Sequence, residues 1–99
     1  MATFIVLANW TEQGVRTFAD TTKRAKVAAQ EIEKAGGSMT STYWTLGPYD
    51  FVGVMEFPDD ETATAFALAT GAQGNIRTTT MRAFDASEMD AIIARATAG

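Results

Sequence analysis

The chain has 99 residues, of which 46 % are hydrophobic and 20 % charged, and its net charge is −4 at pH 7. This length is typical of one domain with one hydrophobic core, which we expect to span residues 1–99. The acidic balance disfavours nucleic acids and anionic membranes as partners, because both present phosphate groups.

Histidine and cysteine are both absent. Their absence argues against a thiolate nucleophile, a His-based catalytic triad, a typical zinc site and a His-ligated haem, so we expect no metal and no cofactor. No apolar run approaches the roughly 20 residues of a membrane-spanning helix, and no basic segment of a signal peptide precedes Phe4. We therefore expect a cytoplasmic protein that does not bind a membrane.

The first third of the chain predicts a strand followed by a helix. Thr3–Trp10 is rich in Phe, Ile, Val and Leu, and its two faces are both largely apolar. Thr11 is the predicted N-cap of the helix, and Gly36-Gly37 is its predicted end. The cap-type residues Asp20-Thr21-Thr22 predict a break within this helix. Its predicted apolar stripe comprises Val15, Phe18, Thr22, Ala25, Ala29 and Ile32.

The middle of the chain predicts a β-hairpin. Ser38–Leu46 and Phe51–Phe57 are the two predicted strands, and Gly47-Pro48-Tyr49-Asp50 is the predicted four-residue turn. A turn of this length places Trp44 opposite Gly53. The tryptophan ring would then fill the space that the glycine leaves open.

The last third of the chain predicts a helix, a strand and a terminal helix. Asp59 is the predicted N-cap of the first of these helices, and this position explains the acidic run Asp59-Asp60-Glu61 without a metal site. Asn75–Phe84 alternates as a fourth strand, and Asp85 with Glu88 resembles a capping box. The predicted apolar residues are Ala63, Phe66, Ala67 and Thr70 in the first helix and Met89, Ile92, Ile93 and Ala96 in the second.

This element order, β-α-β-β-α-β with a terminal helix, predicts an α+β, ferredoxin-like fold with a four-stranded antiparallel sheet. Two helices cover only one face of such a sheet, yet both faces are apolar here, and an uncovered face would exceed the roughly few hundred Å² of apolar patch found on monomers. We therefore expect a homo-oligomer through the sheet face, as in a dimeric α/β barrel. The sequence leaves open whether the covered face carries Phe4, Val6, Trp10, Trp44, Phe51, Met55 and Phe57 or carries Ile5, Leu7, Tyr43, Val52, Val54 and Met81.

The hairpin turn Gly47-x-Tyr49-Asp50, preceded by Tyr43-Trp44-Thr45-Leu46 and followed by Pro58-Asp59-Asp60, resembles the GYD domain family of small bacterial and archaeal proteins. Asn9-Trp10-Thr11-Glu12-Gln13-Gly14 and Gly74-Asn75-Ile76-Arg77-Thr78 fit the same pattern, so the resemblance covers nearly the whole chain. It implies a ferredoxin-like fold in a dimeric α/β-barrel-type assembly. It implies no particular activity and no catalytic residues. Proteins of similar fold include cofactor-free and haem-dependent monooxygenases and ligand-sensing modules, which is an analogy of fold alone.

Several residues are candidates for binding a small organic ligand, although no residue pattern indicates a catalytic group. Asp50 has two interpretations, either a turn residue whose carboxylate accepts backbone N–H groups or a carboxylate at the rim of a pocket. Glu56 and Arg82 interrupt apolar strands, so each is expected in an ion pair across the sheet or between subunits, or as an anchor for an anionic ligand. The ligand-binding candidates are Asn9, Trp10, Tyr43, Trp44, Tyr49, Asp50 and Arg82.

Three functions follow from these observations. The first is a non-catalytic oligomeric module that binds a small molecule or assembles with partners. The second is a cofactor-independent, monooxygenase-like oxidoreductase that acts on a small aromatic or quinone-like compound in a barrel interior, which requires a partly polar cavity next to Trp10, Tyr43 and Arg82. The third is a purely structural protein that uses the sheet face for assembly. The sequence favours a non-enzymatic role.

Overall fold

The computed structural model describes residues 1–98, which form one four-stranded antiparallel sheet and four α-helices. The strand order is β2-β3-β1-β4, so the predicted ferredoxin-like fold is confirmed. The strands are β1 (Ala2–Trp10), β2 (Ser38–Trp44), β3 (Phe51–Phe57) and β4 (Ile76–Ala83). The helices are α1 (Glu12–Arg16), α2 (Thr21–Lys34), α3 (Asp60–Ala72) and α4 (Ala86–Thr97).

The predicted break in the first helical segment is confirmed. A short 3-10 turn at Phe18–Asp20 separates α1 from α2. Because the break changes the direction of the chain, the predicted stripe does not continue through it, and Val15 and Phe18 are 46 % and 62 % exposed. The prediction of an inward stripe was therefore wrong for these two residues and for the exposed Thr22, whereas Ile32 is fully buried.

The predicted caps form as expected, because each supplies an acceptor to backbone N–H groups that the first helical turn leaves free. The hydroxyl of Thr11 accepts from the N–H of Gly14 at 3.0 Å, and the carboxylate of Asp59 accepts from the N–H of Thr62 at 2.7 Å. Asp85 and Glu88 form a reciprocal capping box at the start of α4, with distances of 2.7 and 3.1 Å.

The hydrophobic core lies between the sheet and the two longer helices. Alternate residues of the two central strands point into it, and the rings of Phe4 and Phe57 meet edge to face at 5.7 Å between centroids. The structure thereby decides which sheet face the helices cover, since β1 and β3 bury their side chains on that face. The buried cluster comprises Phe4, Val6, Ile32, Met55, Phe57 and Ala63.

The predicted hairpin register was wrong by two residues. Trp44 pairs with Phe51 rather than Gly53, so the connection runs over the six residues 45–50 instead of four. Thr42 lies opposite Gly53, and the ring that covers this glycine belongs to Phe51 of the same strand. Asp50 is bonded on both sides, because its carbonyl oxygen accepts from the N–H of Thr45 at 2.9 Å and its own N–H donates to the carbonyl of Ala8 at 2.9 Å, and these bonds fit a register in which Trp44 lies opposite Phe51.

The terminal helix α4 extends away from the rest of the chain. The radius of gyration is 15.1 Å, whereas a compact chain of this length has a value of about 13 Å. The longest dimension of the molecule is 53 Å. No residue of α4 is buried, and within residues 1–98 it makes no extensive contact with another helix or strand.

Candidate functional site

The sheet face opposite the core carries an apolar surface that no helix covers within residues 1–98. All four strands contribute to it, since Ile5 pairs with both Val54 and Met81, and Val52 pairs with Tyr43. Tyr43 and Met81, on the two edge strands, are 66 % and 42 % exposed. We call this surface the open sheet face, and its members are Ile5, Leu7, Tyr43, Val52, Val54 and Met81.

The two ends of the open sheet face carry opposite charges. Arg77 lies opposite Asn9, and Glu56 lies opposite Thr3, six residues away along β1. Six residues of strand span about 20 Å, so the cation and the anion flank the apolar centre. Glu56 accepts a 3.4 Å hydrogen bond from the hydroxyl of Ser38, and no carboxylate of the described chain lies within 4.0 Å of the Arg77 guanidinium.

The hairpin turn is joined to β1 through Asp50. Its carboxylate Oδ2 accepts from the backbone N–H of Trp10 at 2.9 Å, and its own N–H donates to the carbonyl of Ala8 at 2.9 Å. Tyr49 contributes its carbonyl oxygen, which accepts from the hydroxyl of Thr45. The interpretation of Asp50 as an acceptor of backbone N–H groups matches this geometry, although the donor lies 40 residues away instead of inside the turn.

The two tryptophans lie on the helix side of the sheet. Trp44 packs edge to face against Phe51, with ring centroids 5.6 Å apart, and its indole Nε1 donates to the hydroxyl of Thr21 at 2.9 Å. It thus connects β2 to the first turn of α2. Trp10 lines a groove between α2 and α3, which is described below.

Arg82 lies on the core side of the sheet, because it pairs with Phe4. Its guanidinium carbon is 4.5 Å from the ring centroid of Phe84, and Nη2 is 3.9 Å from the carboxylate of Glu88 in α4. Its ion-pair partner is therefore in the terminal helix, and the prediction of a partner across the sheet was wrong for Arg82. Glu56 lies on the opposite face of the sheet, so Arg82 and Glu56 do not meet within one chain.

The structure therefore divides the ligand-binding candidates among separate places. Asn9 and Tyr43 are on the open sheet face, Trp10 and Trp44 are on the helix side, and Arg82 is at the end of the core beside α4. Trp10, Tyr43 and Arg82 do not line a common cavity within the described chain. The ligand-binding role of these residues, including Tyr49 and Asp50, stays a prediction.

Sequence reasoning missed an apolar groove of about 650 Å³ between α2 and α3. It forms because α2 lies over the edge strand β2 whereas α3 lies over β4 and β3, which leaves the central strands uncovered at one end. The signal in the sequence was the number of alanines in both helices, since small side chains leave space above a sheet. We call it the helix groove; its floor consists of Val6, Trp10, Phe51 and Met55, and its walls include Ala25, Ala28, Ala65 and Ala69.

Within residues 1–98, no three acidic side chains come together in a way that would hold a metal ion. The same residues include no helix with the length and apolar character needed to cross a membrane.

The comparison with known families agrees with the architecture. The sequence profile of the GYD domain matches residues 4–93, which is most of the chain. The chain belongs to the GYD domain family. In this GYD domain, the aspartate of the turn bonds the turn to β1, next to the ladder that joins β3 and β1.

One relative of this GYD domain is a Thermus thermophilus protein described as a glutamine synthetase and cystathionine beta-lyase binding protein. It is 36 % identical over 90 residues, which cover 90 % of this chain and 95 % of the relative. A crystal structure of a Thermus thermophilus protein superposes with a TM-score of 0.54 at 24 % identity, covering 87 % of this chain and 96 % of the other. That likeness supports the fold.

Proposed function

We propose that this GYD domain is a non-catalytic module that dimerises through its open sheet face and binds other proteins in that form. The observation that carries the proposal is the open sheet face, an apolar surface formed by four strands without a helix over it. Burial of such a surface is favourable in proportion to the apolar area removed from water, at roughly 25 cal/mol per Å². A second copy presents the same apolar surface, so two copies are complementary in polarity.

The charges at the ends of the open sheet face support a two-fold arrangement. In an isologous dimer, a surface meets itself, so Arg77 of one copy can be placed opposite Glu56 of the other. Two such pairs would flank the apolar centre, one at each end. Because these pairs lie at the rim, they contribute mainly to the relative orientation of the two sheets and add little affinity.

The proposed protein-binding role rests on the Thermus thermophilus relative, whose description names two enzymes that it binds. We propose that this GYD domain likewise binds metabolic enzymes and has no turnover of its own. A dimer would present two copies of its partner-binding surface, which raises the effective concentration of the second contact after the first has formed.

The dimer is tested by placing a charge at the centre of the open sheet face. Val54→Glu should lower the mass measured by light scattering, whereas the unmodified protein gives at least twice the single-chain mass of 10.6 kDa. Gln30→Glu is the matched control, because it adds the same charge at an exposed position of α2. An unmodified protein that is monomeric at micromolar concentration would overturn the dimer.

The protein-binding role is tested separately. Purified glutamine synthetase from the same organism as this chain is titrated with the GYD domain by calorimetry, and saturable binding is expected. The absence of heat and of co-migration in gel filtration, with this enzyme and with cystathionine beta-lyase, would contradict the proposed partners. Turnover of a quinone-like compound by the purified domain would contradict the non-catalytic role and favour the oxidoreductase alternative.

A further inference from the structure

The terminal helix α4 has an apolar side without a partner in its own chain. Met89 and Ile93 are 46 % and 47 % exposed, and no residue of the helix is buried. The apolar positions follow the spacing i, i+3, i+4 and i+7, which places them on one side of a helix. They are Met89, Ile92, Ile93 and Ala96.

The helix groove has the dimensions of a site for a helix. Its α2 wall runs from Thr21 to Ala35, a distance of about 21 Å at 1.5 Å per residue. The 12 residues of α4 span about 18 Å. The alanines of the walls permit close approach of a helix backbone, and the apolar floor provides a surface for side chains at i, i+3, i+4 and i+7 spacing.

The charges of the groove determine the direction in which a helix would enter. The α2 wall has Lys23 and Arg24 at one end and Glu31 at the other, whereas the residues of α3 that line the groove are uncharged. The Arg24 guanidinium donates to the carbonyl oxygens of Thr17 and Gly14, and no carboxylate of residues 1–98 lies within 4.0 Å of it. The basic end of the groove thus keeps an uncompensated positive charge.

The charges of α4 are complementary to the groove in one direction only. Its first half carries Glu88 and Asp90, and its second half carries Arg95. Attraction therefore requires α4 to run parallel to α2, with Asp90 near Lys23 and Arg24.

The α4 helix of the same chain would have to enter in the opposite direction. β4 ends beside Thr3, at the end of the sheet where α2 also ends, and only Phe84 and Asp85 connect it to α4. If α4 folded back into its own groove, its first turn would lie at the C-terminal end of α2, where Glu88 and Asp90 would approach Glu31. A second copy is free to enter from the other end.

We propose that α4 of one copy binds in the helix groove of a second copy and runs parallel to the α2 helix of that copy. The contact buries the apolar side of α4 against Val6, Phe51 and Met55 and brings Asp90 to the basic end of the groove. It uses the opposite side of the sheet from the open sheet face, so it is independent of the dimer proposed above. With both contacts, the protein forms assemblies larger than two chains.

The absence of native cysteine permits a direct test by disulfide formation. Ile93→Cys in one tagged copy and Ala69→Cys in a differently tagged copy are mixed and oxidised. A disulfide needs Cα atoms about 4.4–6.8 Å apart, so the two tags should become linked only if α4 enters the groove of another chain. Ala91→Cys, on the polar side of α4, replaces Ile93→Cys in the control and should give at least about tenfold less product.

Other occupants of the helix groove give different products. A chain that carries both cysteines and closes a disulfide within itself at high dilution would show that α4 folds back, and would overturn the proposal. The absence of any cross-link between copies would also overturn it. So would a small molecule that native mass spectrometry finds bound to the protein and whose presence prevents the cross-link between copies.

A charge reversal tests the direction of α4 in the groove. Lys23→Glu and Asp90→Lys should each weaken cross-linking several-fold at low salt, and the double variant should restore it, because the attraction is regained with reversed signs. Failure of the double variant to recover would contradict the parallel direction. Val54→Glu, introduced into both cysteine variants, should leave the yield of the cross-link unchanged, so failure of the open sheet face as a dimer interface is distinguishable from failure of this contact.

Discussion

Asp50 connects two segments that are far apart in the chain. It accepts the N–H of Trp10 and donates to the carbonyl of Ala8, which continues the pairing of β1 and β3 beyond the last strand residues. A hydrogen bond from a backbone N–H to an ionised carboxylate is about twice as strong as one between neutral groups. Asp50 therefore supports the register of the hairpin and the position of its turn beside the end of β1.

Removal of the Asp50 carboxylate is expected to destabilise the fold. Asp50→Ala leaves the half-buried N–H of Trp10 without its acceptor and should lower the free energy of unfolding by about 1–3 kcal/mol, measured by urea denaturation. Asp50→Asn keeps an acceptor and should cost less. Glu33→Ala, at an exposed position whose side chain makes no hydrogen bond or ion pair within residues 1–98, is the control and should stay within about 0.5 kcal/mol. Unchanged stability of Asp50→Ala would argue against this structural role.

Asp59 makes the stability of α3 dependent on pH. The hydroxyl and the backbone N–H of Thr62 both donate to the Asp59 carboxylate. These hydrogen bonds, the one from the hydroxyl most of all, hold the pKa of Asp59 below its ordinary value of 3.8. The carboxylate therefore contributes to stability above pH 3.8, and this contribution is lost as the pH falls through the lower pKa of the folded protein. The stability difference between the unmodified protein and Asp59→Asn should decrease over that range, as followed by urea unfolding at stepped pH. A stability difference that stays constant over this pH range would contradict this role of the Asp59 carboxylate.

At the scale of elements, α1 is attached to the start of β4 through a close approach of two backbones. A Cβ added at Gly14 would lie 1.9 Å from the carbonyl oxygen of Asn75, so no side chain fits there. The neighbouring Thr11 hydroxyl donates to the carbonyl of Gly74. Gly14 is therefore required by packing, despite its poor helix propensity.

Two glycine substitutions in helices should change stability in opposite directions. Gly14→Ala forces apart α1 and the segment before β4, and should cost about 1–3 kcal/mol of unfolding free energy. Gly71→Ala places a methyl group in open space within α3 and should stabilise the protein by about 0.5–1 kcal/mol through helix propensity. Urea denaturation of both variants measures the difference. Equal effects would show that the close approach at Asn75 does not constrain Gly14.

At the scale of the whole molecule, two apolar surfaces lie on opposite sides of one thin sheet. The open sheet face and the helix groove both leave apolar side chains in water, and α4 leaves a third set. A monomer with this distribution leaves much of its apolar surface exposed to water. The association of copies proposed above would remove those side chains from water without any change of fold.

The stability of the protein should therefore depend on its concentration. If the folded chain is a dimer, a tenfold dilution should lower the apparent unfolding free energy of the dimer by about 1.4 kcal/mol. The midpoint of urea unfolding, measured over a series of protein concentrations, gives this dependence. The Val54→Glu variant should lose the part that arises from the open sheet face, while Gln30→Glu retains it. A midpoint that is independent of concentration in the unmodified protein would contradict association.

Local patterns predicted the elements and their ends. The caps at Thr11, Asp59 and Asp85 each depend on residues within three positions along the chain, so their chemistry is contained in the sequence itself. The break before α2 was visible for the same reason. The hairpin register was not, because it also involves bonds to a distant segment, such as the one between Asp50 and Trp10, 40 residues apart.

The candidate site was predicted less completely. Alternation along the strands correctly grouped Ile5 and Leu7 with Val52 and Val54 on one face, since side chains of a strand alternate strictly. It did not indicate which face the helices would cover, and it gave no warning of the groove between them. Both depend on where α2 and α3 pack on the sheet.

The sequence by itself determined the order of elements, their caps and the two apolar faces of the sheet, because these are set by the spacing of neighbouring residues. Only the tertiary structure decided that Phe4 and Val6 face the core, that Tyr43 and Arg82 lie apart, and that α4 has no partner in its own chain. The physical reason is that packing depends on the separation of α2 and α3, which no local pattern encodes. That separation leaves the helix groove open between them.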